Sequence, residues 1–423
     1  MIVLVLAALQ ATPEALPEVT LAEALRRGVA LDPSYVLASR DVRDATWQRT
    51  TAMTAFVLPA VSVQASAQRF SSEAFNIGTG ELTDRIVSAQ LSASYELFRG
   101  GGKLFILQQR RAELQAAEAS ETEARFRTAV LIEADYYDVL AEQELTRVAT
   151  ERVRRAEEQL AVARARVLSG AAVQTDSLQL RLELNRARVE LLGQQSAVRV
   201  ARLQLGRRIG MDGPVAAAPL GDTVMPDLPL TDAEAVAEAL DASPAVLSAR
   251  ARVRAAAATA RGAWSAFLPT ATIAAQVSAF DDRFFPNATT RSSIGLTVSL
   301  PIWNNGQREI ALSRARSARE VAAAARDDTE RAIRRDVIEA YEAYLTARAS
   351  GALADEAVVV ARENLRVQEE RYRAGATTII DLVTAQVSMT EAEAGRVQAR
   401  YATRLALAGL EAILGRRLFT ATE

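Results

Sequence analysis

The chain has 423 residues, 49% of them hydrophobic and 24% charged, with a net charge of −2. That length allows a sizeable core or two to three domains, and the near-neutral balance offers no surface for nucleic acid. It contains no Cys and no His, which removes disulfides, thiol nucleophiles, imidazole bases and the usual zinc or copper ligands. No metal, no other cofactor and no enzyme active site is expected.

The chain begins with an apolar run, "MIVLVLAALQA" (residues 1–11), too short to span a bilayer. It reads as the hydrophobic part of a secretory signal, with Ala7, Ala8 and Ala11 near a plausible cut. The basic segment that normally precedes such a run is missing, so the true start is expected upstream.

Residues 12–210 form a first structural repeat. Its helix leads to Pro59, after which "VSVQASAQ" and "VSAQLSASY" alternate apolar with Ser or Gln. This period-two pattern predicts strands over about 60–70 and 86–97, with residues 71–85 as a loop. "YELFRGGGK" then ends the second strand, and a proline-free stretch from Lys103 to about Leu168 predicts one long helix. "GGGK" lacks the spacing of a phosphate-binding loop. Gly170 falls where the helix must reverse, and Asp176 opens the return. With Gln179 three residues on, Asp176 has the spacing of a helix cap.

Four prolines crowd into residues 213–230, marking residues 211–230 as a linker between halves. A second repeat, 231–419, follows before a short tail, 420–423. Pro269 precedes expected strands over about 270–280 and 292–302, with 281–291 as the loop. Pro301 and "WNNG" end the second of these strands, and a helix is expected from Gln307 to about Arg373. Gly375 and Asp381 repeat Gly170 and Asp176 at a distance of 205 residues, and "LGRRIG" is answered by "LGRRLF". The two tips are expected at about 168–176 and 373–381.

Helices of about 65 residues span roughly 100 Å and must pack side by side as a coiled-coil-like tube. Strands of nine or ten alternating residues have the length of tilted transmembrane strands. A soluble, half-buried hairpin would give the same alternation. Aromatics favour the membrane: more than half of them lie in or beside the strands, among them Tyr95, Phe98, Trp264, Phe267 and Trp303. Such residues anchor barrels at their interfaces. Four strands leave two open edges that hydrocarbon does not tolerate, so copies must pair; three chains would supply about twelve strands and a useful lumen.

A strand ending in Leu/Pro-aromatic-x-x-Gly before a long helix, here "LPIWNNG" and "YELFRGG", resembles the TolC-like outer-membrane factors. "TLAEALRRGVALDPSY" is similar to that family's first helix and "RYRAGATTIIDLVTAQ" to its periplasmic tip. The resemblance implies an α+β membrane protein built from a duplicated helix–strand–strand–long helix–helix unit. It implies a homotrimer with a twelve-stranded outer-membrane barrel, four strands per chain, continued by an α-helical periplasmic barrel. The implied function is the passive exit duct of a tripartite efflux pump or type I secretion system. Its partners would be outer-membrane lipid, a periplasmic adaptor and an inner-membrane transporter, the last two docking at Gly170, Asp176, Gly375 and Asp381. Asp381 is expected to line the aperture, while Thr384 stands where some members carry a second Asp. Pro59, Gly100, Gly101, Pro269, Pro301 and Gly306 would manage the passages between strand and helix at the membrane's inner rim. The alternative, a periplasmic coiled-coil adaptor or other structural interaction protein, would need a lipoyl-like or β-barrel domain between paired helices, and the sequence shows neither.

Overall fold

The computed structural model describes residues 16–76, 80–221, 225–281 and 288–419; the expected signal segment lies outside them. In chain order the elements are β1 (Glu18–Val19), α1 (Leu21–Leu31), α2 (Pro33–Thr54), β2 (Ala60–Asn76), β3 (Glu81–Arg99), α3 (Gly102–Leu168) and α4 (Gln174–Arg208). Then come β4 (Ala216–Ala217), α5 (Asp232–Ala242), α6 (Pro244–Ser265), β5 (Thr270–Asp281), β6 (Thr289–Ser299), α7 (Gln307–Arg373) and α8 (Ile379–Leu414). Both long helices have 67 residues and begin 205 positions apart. No helix among the described residues is long and apolar enough to cross a membrane.

One compact unit comprises Ser39–Ser120 and Ala245–Arg331. Its centre is a four-stranded antiparallel sheet in the order β2-β3-β5-β6. β2 and β6 are its edges, and each leaves one side of its backbone unpaired. The strands differ from expectation at their ends. Residues 71–76 and 81–85, expected as loop, continue β2 and β3, past a bulge between Arg69 and Ala74. Their side chains lose the apolar alternation, but backbone pairing depends on amide groups and not on side-chain polarity. Of the expected loop 281–291, residues 289–291 belong to β6, and 282–287 lie outside the described residues. β6 stops at Ser299, before the expected 302, because Pro301 has no N–H to extend a ladder.

The other unit comprises the described residues of Met1–Ala38, Glu121–Pro244 and Ala332–Glu423. Its largest core gathers Val19, Ile132, Tyr136, Leu205, Val215 and Tyr401 around the parallel pair β1–β4. The expected linker is therefore partly built into the core. Tyr136 donates its hydroxyl to the Val19 and Ala218 carbonyls at 3.2 and 2.8 Å, and Tyr344 to that of Pro226 at 2.7 Å. Those bonds give a proline-rich segment, poor in its own donors, a fixed path.

The match of "LGRRIG" to "LGRRLF" misleads about structure. Gly206 is inside α4, whereas Gly415 is the left-handed C-cap of α8 with φ 72°. The structural counterpart of Gly415 is Gly210, φ 74°, again 205 residues away. Gly206 is needed for space and not for its angle: a Cβ there would collide with the Gly213 carbonyl oxygen.

Candidate functional site

Two places bear on function within the sheet unit: the strand-to-helix switches and the faces of the sheet. Each switch is a pair of residues in the left-handed region. Gly100 and Gly101 have φ of 54° and 78°; Asn305 and Gly306 have 59° and 75°. At Gly100 a side chain is excluded twice over, since a Cβ would also lie 2.8 Å from both Leu268 Cβ and the Ser265 carbonyl oxygen. Asn305 occupies the same place without glycine, as Asn tolerates the left-handed region better than most residues. Pro59 and Pro269 immediately precede β2 and β5.

Sequence reasoning missed what fastens each switch. Lys103 donates to the Ala55 carbonyl at 2.9 Å and to that of Glu96, and its ammonium lies 4.2 Å from the centre of the Tyr95 ring. Arg308, 205 residues on, donates to the Pro301 and Ile302 carbonyls at 2.6 and 3.0 Å and lies 4.8 Å from the centre of the Phe267 ring. Glu96 and Pro301 are themselves 205 residues apart. In both repeats a cation from the new helix satisfies carbonyls at the passage: Glu96 sits at the bulge of β3, past its last pair with β2, and Pro301 lies beyond the end of β6. The available signal was a basic residue two positions past Gly101 and past Gly306. Phe98, Trp264 and Trp303 are exposed, whereas the Tyr95 hydroxyl is held by the Phe56 carbonyl.

The sheet has one apolar and one polar face. Leu91 lies between Val63 and Val277 on the first. On the second, Ser62 bonds Ser92 at 2.8 Å, Ser66 bonds Ser88 at 2.8 Å, and Gln90 donates to Gln276 at 3.1 Å.

In the other unit, the two helix reversals share one geometry. The amide of Gly170 donates to Val167 and that of Ala171 to Arg166; Gly375 and Ala376 do the same with Tyr372 and Arg371, at matching distances of 3.1 and 2.8 Å. Both glycines have φ 75°, so each long helix ends in a Schellman turn. Arg166 joins the two turns. It donates to the Tyr372 carbonyl and, at 3.1 Å, to that of Ala171, and its guanidinium lies 4.8 Å from the centre of the Tyr372 ring.

The helix cap lies at Asp381 and not, as expected, at Asp176. The residue preceding α4 is Val173, which has no capping side chain, and the Asp176 carboxylate instead receives the Tyr372 hydroxyl at 3.4 Å. Asp176 sits in the first turn, not at the cap, so its spacing to Gln179 forms no capping box. Burial, and then the Asp176 carboxylate, push the Tyr372 hydroxyl above its ordinary pKa. The capping box belongs to the second repeat. Asp381 accepts from the Thr378 amide at 3.2 Å, the Thr378 hydroxyl at 2.7 Å and the Thr377 hydroxyl at 2.9 Å. Those bonds, the Thr378 hydroxyl first, hold its carboxyl below the usual range. Thr384 bonds back to the Ile380 carbonyl of its own helix.

Comparison with known proteins gives these features a setting. The family model for outer membrane efflux protein matches residues 31–211 and 235–416. The pyoverdine export outer membrane protein OpmQ of Pseudomonas putida is 27% identical over 389 residues, covering 86% of this chain and 79% of that protein. A membrane protein from Pseudomonas aeruginosa superposes with a TM-score of 0.79 at 20% identity, over 95% of this chain and 91% of that one. The open-state MtrE outer membrane channel of Neisseria gonorrhoeae does so with 0.77 at 20% identity, over 95% and 90%.

Proposed function

Because the chain belongs to the outer membrane efflux protein family, we propose that three copies close into one duct that carries cargo from a periplasmic adaptor and an inner-membrane transporter across the outer membrane. The observation that carries this reading is the four-stranded sheet with two unpaired edges in a chain without a membrane-crossing helix among its described residues. In hydrocarbon each unpaired backbone group costs several kcal/mol, so β2 of one copy pairs with β6 of the next until the ring closes. Three copies of four strands give twelve, enough for a water-filled interior. The apolar face then meets lipid and the Ser- and Gln-bearing face lines the lumen. Phe98, Trp264 and Trp303 anchor the inner rim, and the fastened switches turn strand into helix there.

The paired Schellman turns supply the docking surface for the adaptor. Arg166, Tyr372 and Asp176 tie the two helical hairpins of one copy to each other, which keeps the tip closed until a partner separates them. Asp381, exposed and ionised, faces the aperture from its capping box. The duct does no chemistry of its own. Pump or type I secretion machinery supplies the energy.

Extraction in mild detergent tests the assembly: an outer-membrane species near three times the monomer mass is expected. Recovery of a soluble monomer from the periplasm would refute it. Loss of co-purified adaptor on substituting Gly375, with the oligomer intact, would support docking at the tip.

A further inference from the structure

The strand register arranges the polar face of the sheet in rows. One row runs Gln64, Gln90, Ser278, Arg291 across β2, β3, β5 and β6. The row on its β2 N-terminal side holds Ser62, Ser92, Gln276 and Ser293, and the row on the other side Ser66, Ser88, Phe280 and Thr289. Arg291 is thus the one charged side chain in three consecutive rows. Elsewhere in these rows polar side chains satisfy one another: Ser62 with Ser92 and Ser66 with Ser88 at 2.8 Å, and Gln90 with Gln276 at 3.1 Å. Arg291 makes no hydrogen bond or ion pair with any described residue, and its row supplies no carboxylate. A guanidinium has five N–H donors and cannot be neutralised by deprotonation, so with no partner among the described residues of its own copy it stays charged and takes its hydrogen bonds from water. An ionisable residue at membrane depth with water and no counter-charge is placed to act on what passes.

We propose that Arg291 sets the charge preference of the barrel lumen: repeated once per copy, it forms a positive ring at a level where the three rows around it carry no other charge, two rows or more from Glu96 on the same face, and selects anionic cargo. The proposal rests on the polar face lining the lumen of the duct. Low-dielectric walls focus the field of such a ring, and neighbouring Ser and Gln hydroxyls and amides do nothing to cancel it.

Planar-bilayer reversal potentials in a KCl gradient test it, with trimer formation checked for each variant. Arg291→Gln should lower the chloride-to-potassium permeability ratio by about twofold or more, and Arg291→Glu should lower it further. Arg69→Gln, whose side chain is on the other face, should leave it unchanged. The chain has no Cys, so Arg291→Cys offers a second route on channels already assembled. A positively charged thiol reagent added from water should raise the ratio and a negatively charged one lower it. Equal reversal potentials for wild type, Arg291→Gln and Arg291→Glu, or failure of Arg291→Cys to react, would overturn the inference and leave the duct standing. If the wild-type protein forms no channel at all, duct and inference fall together.

Discussion

Leu91→Arg against Gln90→Arg is the sharpest test of how the sheet meets its surroundings. The two positions are adjacent in β3 and lie on opposite faces. Leu91 is paired across the sheet with Val63 and Val277, four residues from Val87 and four from Tyr95 on the same face. At about 3.4 Å per residue and a tilt near 40°, Val87 and Tyr95 are roughly 20 Å apart in depth, so Leu91 is near the middle of an apolar band about 25 Å tall. An arginine at that depth costs about 2–4 kcal/mol, and three copies in one barrel about 6–12 kcal/mol. That sum rivals the whole stability of an ordinary fold, about 5–15 kcal/mol. At Gln90 the same substitution enters water and forfeits only the bond to Gln276, worth about 0.5–1.5 kcal/mol. Leu296→Arg should be milder than Leu91→Arg, because Leu296 is in register with Ile273 and, through it, with Tyr95 nearer one rim. Unheated gel electrophoresis of outer-membrane fractions should show oligomer for Gln90→Arg and little or none for Leu91→Arg. Equal yields, or a defect confined to Gln90→Arg, would refute the assignment of faces.

Lys103→Met removes the donor to the Ala55 and Glu96 carbonyls and should cost about 1–3 kcal/mol. Thermal release of monomers from the oligomer should shift downward for Lys103→Met and much less for Lys103→Arg. Gly375→Val forces a β-branched residue to φ 75°, with its Cβ 3.3 Å from Arg166 Nη2, a strain of about 1–3 kcal/mol. Oligomers should persist in the outer membrane while export fails; normal export would remove the tip from the docking surface. Asp381 has its folded pKa below the ordinary 3.8, so its contribution is fully present above that value and is lost as pH falls through the depressed one. Amide protection at the start of α8 should weaken on such acidification in the wild type, and Asp381→Ala should lack that acid-dependent step.

The sequence by itself determined the duplication, the two long helices and the existence and facing of the four strands. Each is written in a local signal: absence of proline, apolar spacing, or period-two alternation. It also located Gly170 and Gly375, because a chain that reverses after a helix favours a left-handed residue and glycine bears that angle at least cost. Strand ends were less legible, since residues 71–76 and 81–85 pair through amides that carry no side-chain signature. Only the tertiary structure decided which aspartate caps a helix. Thr378 supplies a cap for Asp381 to complete, while Val173 supplies none and the Tyr372 hydroxyl reaches Asp176 from 196 residues away. It likewise gave Lys103 and Arg308 their work, because the carbonyls they bind lie at the bulge of β3, just past β6 and, for Lys103, also at Ala55, 48 residues earlier. A side chain's partner across the fold depends on packing that no local pattern encodes, so the helices could be read in advance and their fastenings could not.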